Sequence, residues 1–102
     1  MIVHSVYFWL ERGLSPAELE LFLKGIESLR GIPGLERILT GSPAKTSRPA
    51  VDRTYDYALT ILMKDKTAYR SYQEHPLHCA FIEQCSRCWM KLVIYDHEEA
   101  AS

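Results

Sequence analysis

The chain has little cysteine and no excess of charge of either sign. Three cysteines among 102 residues leave one unpaired in any intramolecular scheme, and all three, Cys79, Cys85 and Cys88, fall in one short stretch. That argues against a disulfide framework and points to reduced thiols in a cytoplasmic setting. Twelve Lys and Arg against 13 Asp and Glu supply no basic field for a phosphate backbone, so nucleic acid is not an expected partner. No apolar run is long enough to cross a bilayer. The start, Met1-Ile2-Val3-His4-Ser5, lacks the basic, apolar and small-residue regions of a secretory leader. A membrane is therefore not an expected partner either. What remains is an ordinary globular mix, 47% apolar and 25% charged, of a length that suits one domain over residues 1–102.

Punctuation and periodicity divide the chain. Residues 2–10 are β-branched and aromatic and read as a strand. Ser15, Pro16 and Glu18 give a helix start, with the cap, the proline at the first helical position and the acidic residue three beyond the cap. Leu19, Phe22, Leu23, Ile26 and Leu29 follow at helical spacing, and Gly31 and Pro33 close that helix. Residues 35–41 make a weaker strand. Residues 42–54, polar and holding Pro43 and Pro49, are the one long loop and the expected mobile segment. Residues 55–64 are a third strand. Asp65 caps a short helix over 66–74 that ends at His75-Pro76, because a residue before proline avoids helical angles. Pro76 opens another helix to about Arg87, placing His78, Phe81, Ile82, Cys85 and Trp89 on one face. Residues 89–96 are a fourth strand, and the acidic tail over 97–102 is expected to fray. The order β-α-β-β-α-β is the ferredoxin-like arrangement, an α+β fold with a four-stranded antiparallel sheet.

The strands carry apolar residues on both faces. Ile2, His4, Val6, Phe8 and Leu10 share one face of the first strand; Val3, Ser5, Tyr7 and Trp9 share the other. Leu92, Ile94 and Asp96 face one way in the fourth strand, Val93 and Tyr95 the other. Helices suffice for only one side. An apolar patch of Tyr7, Trp9, Val93 and Tyr95 usually marks an interface, so a homodimer is expected, sheet against sheet, closing a barrel across a two-fold axis. The competing expectation is a monomer with an open aromatic face.

Chemistry concentrates in Tyr72-Gln73-Glu74-His75-Pro76-Leu77-His78. Imidazole is the side chain whose ordinary pKa lies near neutrality, and the proline fixes the local backbone between the two histidines. His75 reads as the residue that closes one helix. Periodicity directs His4, Val6, Phe8, Tyr57, Leu59, Leu92, Ile94 and Asp96 from the strands toward Phe22, Ile26, His78, Phe81 and Trp89. The outcome is either an apolar pocket with a few polar groups or a filled core. His75, His78, Cys79, Cys85 and Cys88 offer metal-capable atoms, but not as the two separated pairs of a structural zinc site. No cofactor and no metal are expected. Cys79 and Cys85 suit core positions, with Cys88 more exposed.

The His4 strand, Ser15-Pro16, Gly31-Ile32-Pro33-Gly34, Tyr55-Asp56-Tyr57-Ala58-Leu59, Tyr72 to His78, and Val93-Ile94-Tyr95-Asp96 together resemble the Dabb family, the stress-responsive dimeric A/B barrel domains. The likeness spans nearly the whole chain, and the Tyr-x-x-His-Pro-x-His segment is its most specific piece. It implies a homodimeric α+β barrel. Some members are stress-linked plant proteins and a few are enzymes, among them a polyketide cyclase. By that resemblance His78 is the catalytic base, Tyr72 assists it, Asp96 orients it and His4 lies in the pocket; Tyr57 replaces a second strand histidine. A proton-transfer reaction, cyclisation or isomerisation, on a small apolar or aromatic carbonyl compound is the implied activity. The alternatives are a non-enzymatic stress or structural dimer and, by fold analogy alone, a cofactorless monooxygenase-like or haem-binding relative.

Overall fold

A computed structural model describes residues 1–100. The elements are β1 (Ile2–Leu10), α1 (Pro16–Ser28), β2 (Leu35–Gly41), β3 (Tyr57–Met63), α2 (Lys66–Glu74), α3 (Pro76–Cys85) and β4 (Trp89–Glu98), with 3₁₀ turns at Leu29–Gly31 and Ser86–Cys88. The strands form one antiparallel sheet in the order β2-β3-β1-β4. This is the expected ferredoxin-like α+β fold, its second helical segment broken into α2 and α3. The helices cover one face only, and the protein is 17 Å thick along its shortest axis, consistent with two layers.

Local chemistry sets the boundaries. Ser15 Oγ accepts from the Glu18 amide (3.1 Å) while Glu18 Oε1 accepts from the Ser15 amide (3.0 Å), a reciprocal cap that fixes where α1 starts. Gly34 turns the chain into β2 at φ +86°, a region that a Cβ disfavours. Asp65 caps α2 by accepting from the Ala68 amide at 2.9 Å.

The core lies where alternation puts it. Val6, Phe8, Leu59, Ile61 and Met63 point from β1 and β3 into Phe22, Ile26, Leu29, Tyr72, Phe81 and Cys85 of the helical layer. Each large apolar side chain so buried contributes roughly 1.5–3 kcal/mol. Helices α1 and α3 cross tightly at Gly25, where a Cβ would lie 2.8 Å from Cys85 Sγ and Phe81 Cδ1.

Several expectations are corrected. Leu19 is 40% exposed; the face of α1 that meets the sheet runs through Phe22 and Ile26. Helix α3 stops at Cys85, short of Arg87. Cys79 is exposed and Cys88 buried, the reverse of the sequence reading, because the turn after Cys85 folds Cys88 beneath α1 while Cys79 faces away from the sheet. The C-terminal segment does not fray at residue 97: His97 and Glu98 pair with Val3 and Ile2, and the Glu99 amide donates to the Met1 carbonyl at 2.8 Å. A ladder persists while its neighbour supplies partners, and β1 begins at Ile2. The last two residues of the tail lie outside the described residues.

A bulge decides the fate of Trp89. Trp9 pairs with Lys91 but Leu10 pairs with Trp89, so Met90 is the extra residue. Strict alternation back from Leu92 would have turned Met90 inward. Instead Met90 is exposed and the Trp89 ring packs on Phe8 (5.1 Å) and Phe81 (5.6 Å).

Candidate functional site

A cavity of about 130 Å³ lies between the β1–β4 half of the sheet and the α2–α3 joint, lined by His4, Val6, Phe8, Leu59, Tyr72, Gln73, His78, Phe81, Ile82, Trp89, Leu92 and Ile94. It exists because the helices stop short of the sheet edge. Leu92 and Ile94 of β4 and Ile82 of α3 stay exposed at its mouth, while Phe8, Leu59 and Phe81 form its sealed floor. Of the residues expected from sequence, the structure brings His4, Val6, Phe8, Leu59, Tyr72, His78, Phe81 and Trp89 to this cavity. Phe22 and Tyr57 do not reach it: Phe22 is fully buried behind Phe8, and Tyr57 packs on Phe22 at 5.9 Å.

The joint aims His78. In a continuous helix the Gln73 carbonyl would bond the Leu77 amide. That amide donates instead to His75 Nδ1 at 3.0 Å, so His75 is at once the last cap of α2 and the first cap of α3. The Gln73 carbonyl is thereby left to His78 Nδ1, 3.1 Å away. A carbonyl can only accept, so Nδ1 carries the proton and Nε2 keeps its lone pair. Burial lowers the His78 pKa below its ordinary 6.5, the Gln73 bond partly opposes this, and His4 adds to the lowering. The Tyr72 ring lies 4.7 Å from that of His78, and burial, with Tyr69 beside it, pushes the Tyr72 phenol well above its ordinary value.

Asp96 serves a different histidine from the one expected. Its Oδ1 lies 2.6 Å from His4 Nδ1, and its Oδ2 accepts from the Tyr69 hydroxyl at 2.6 Å. Register explains this: Asp96 sits directly across the β1–β4 ladder from His4, whereas His78 is on the far side of the cavity. A carboxylate accepting on both oxygens makes His4 Nδ1 the donor. Burial first, then the bond and charge of Asp96, raise Tyr69 to about 12. Asp96 and Tyr69 line a neighbouring cleft of about 400 Å³ with Ile2, Lys66, Arg70, Gln73, His97 and Glu98, so the Tyr69–Asp96–His4 chain crosses the wall between the two spaces.

Among the described residues no hydrogen bond engages Nε2 of His4, Nε2 of His78 or the Tyr72 hydroxyl, and no buried polar side-chain atom lacks a partner. These three atoms therefore meet open space, and the space beside them is the cavity.

The model of the stress responsive A/B barrel domain, Dabb, matches residues 2–99. The chain belongs to the Dabb family. Among solved structures it is similar to a Dabb family protein with a ferredoxin-like fold from Mesorhizobium loti, at 24% identity and a TM-score of 0.78, over 98% of this chain and 97% of that one. A dimeric ferredoxin-like protein of unknown function from Thermobifida fusca shares 22% identity and a TM-score of 0.76, over 94% of this chain and 88% of that one. The hydroxynitrile lyase of Passiflora edulis shares 14% identity and a TM-score of 0.79, over 99% of this chain and 94% of that one. These likenesses concern the fold. Among curated proteins none matches the sequence.

Leu92 and Ile94, which alternation along the fourth strand directed toward the pocket, do line it, whereas sequence reasoning missed Gln73 and Ile82 in the lining and Tyr69 beside it. Tyr69 could have been found, since it stands three residues before Tyr72 and shares its helix face. The Gln73 carbonyl could not, because its freedom depends on which atom takes the Leu77 amide. Among the described residues no three His, Cys, Asp or Glu side chains gather to hold a metal ion, and no helix is long and apolar enough to cross a membrane. The loop over 42–54 leads away from the cavity: Trp9 Nε1 donates to Thr54 Oγ1 at 3.0 Å, and Tyr55 packs on Tyr7 at 5.0 Å, on the sheet face opposite the helices.

Proposed function

We propose that this is a single-domain, homodimeric Dabb protein in which each protomer holds a small-molecule pocket beside His78, and that His78 acts there as a general base on a small, largely apolar carbonyl compound. One observation carries the reading: an imidazole whose proton is fixed on Nδ1 by the Gln73 carbonyl stands with a free Nε2 at a largely apolar cavity. A base with a pKa below neutrality is unprotonated at working pH and ready to accept. The Tyr72 hydroxyl, kept protonated by burial, is the donor available to an enolate oxygen.

Cavity size narrows the substrate. A cavity of about 150 Å³ holds benzene, so 130 Å³ accommodates one ring or a short branched ketone. A longer substrate would extend out past Leu92 and Ile94. The same size argues against the haem-binding alternative, whose ligand is a flat macrocycle of four pyrroles joined by methine bridges. That a hydroxynitrile lyase shares the architecture supports the capacity of this fold for catalysis, not a particular reaction.

Dimerisation through the open sheet face is supported by the dimeric neighbour and by the aromatic patch there, with Tyr95 exposed and Tyr7, Trp9 and Tyr55 half-buried.

The test of the base is exchange of the α-hydrogens of cyclohexanone in D₂O, followed by proton NMR. Exchange above the buffer rate is expected for the native protein, with loss of most of that excess, about 10²-fold or more, in His78→Gln. Equal rates for the two proteins would refute the assignment and leave the structural-dimer reading.

A further inference from the structure

The cavity holds a second imidazole that general-base chemistry at His78 does not use. His4 is 4% exposed, its Nδ1–H is fixed on the Asp96 carboxylate, and that carboxylate is held in turn by the Tyr69 hydroxyl. Its ring lies 5.2 Å from Tyr69 and 5.7 Å from Tyr72, edge-on to both. Tyr72 thus stands between the two histidines, 4.7 Å from the His78 ring. The supports differ in kind. His78 is oriented by a neutral carbonyl, His4 by a carboxylate that fixes the ring and offsets the charge when the imidazolium forms. A structural role for the Asp96–His4 bond would need no free Nε2 at an apolar cavity, yet Nε2 has no partner there.

We propose that the pocket is a two-base site that moves a proton between two carbons of one small β,γ-unsaturated ketone, His78 removing it and the Asp96-held His4 delivering it. The inference rests on His78 being the base. With His78 neutral and His4 as the imidazolium, His78 Nε2 takes the α-proton. The α C–H bond breaks, an N–H bond forms, and the electron pair moves onto the carbonyl oxygen, where the Tyr72 hydroxyl donates. The His4 Nε2–H bond then breaks toward the γ-carbon, a C–H bond forms there, and the pair returns to restore the carbonyl as a conjugated enone. One proton has left the substrate for His78 and one has entered from His4. His78 releases its proton to water through the mouth at Ile82, Leu92 and Ile94. His4 regains one from water through the same cavity, Asp96 holding the ring in place from the cleft side. Asp96 and Tyr69 are positioning residues.

The experiment uses cyclohex-3-enone in D₂O, reading conversion to cyclohex-2-enone by absorbance and the position of label by NMR. The expected result is conversion with deuterium, not substrate hydrogen, at the γ-carbon. His4→Gln should lose the conversion about 10²-fold or more, a far larger loss than it causes in the α-exchange of cyclohexanone. Asp96→Asn should depress conversion relative to exchange, a split that general loosening of the fold would not produce, since it would lower both. The labelling of the native protein stands even where a variant fails to fold. Substrate hydrogen retained at the γ-carbon, unchanged conversion in His4→Gln, or no conversion by a protein that still exchanges cyclohexanone would overturn the two-base assignment. Loss of cyclohexanone exchange from the native protein would instead sink the His78 reading on which it rests.

Discussion

On the helix side of the sheet Phe8, Leu59 and Ile61 are sealed under α1 and α3; on the other side Tyr7, Trp9, Tyr55 and Tyr95 pack ring against ring with no helix above them, only the end of the 42–54 loop at Trp9. The same alternation along β1 builds both. The first side closes because three helices reach it, and it fails to close only at the β4 edge, where Leu92 and Ile94 are left to line the cavity. The second holds an apolar surface whose Tyr95 is 65% exposed, with Lys91 poised over the Trp9 ring at 4.5 Å. An incompletely covered edge inside a protomer makes a pocket; a face without helices offers a surface for the proposed second copy.

The sharpest way to separate the two faces is to damage each. Phe22→Ala empties a site packed by Phe8, Phe81 and Trp89 and should cost about 3–5 kcal/mol in urea unfolding at fixed protomer concentration. A cost below about 1 kcal/mol would mean the helix side is not the close-packed core described. Tyr95→Asp, on the open face, should change protomer stability by no more than about 0.5 kcal/mol yet shift sedimentation from dimer toward monomer. An unaltered sedimentation coefficient would place the interface elsewhere.

The smallest effect lies in pH. Burial depresses the folded pKa of His78 below 6.5, so between the folded and unfolded values the unfolded state binds more protons. This contribution to stability is present above the unfolded value and is lost as pH falls through the folded one. Replacing His78 by Gln should flatten the urea midpoint across that acidic window and leave it unchanged near neutrality. An identical pH slope in both proteins would show that His78 is not desolvated as described.

Much of this was legible in the residues. Ser15-Pro16 with Glu18 located a helix start, Asp65 a second, and Tyr-x-x-His-Pro-x-His both the family and the joint, because capping and proline chemistry act over three or four residues. Eight lining residues followed from period-two strands facing period-3.6 helices. The failures share one cause. Phe22 was assigned to the pocket because it shares the facing side of α1, but Phe8 fills the space between. Trp89 was placed on a helix and reaches the same neighbours through a bulge at Met90. Asp96 was given to His78, though strand register joins it to His4.

By itself the sequence determined which segments are helix and strand, which residues face inward, and that the chain has helices for only one sheet face, because these depend on caps, prolines and alternation read over a few neighbours. Only the tertiary structure decided that Asp96 serves His4, that the Gln73 carbonyl is free for His78, and that a cavity the size of one ring remains beside β4. Each of these turns on where two distant segments come to rest, to within the length of a hydrogen bond, and no spacing along the chain carries that distance.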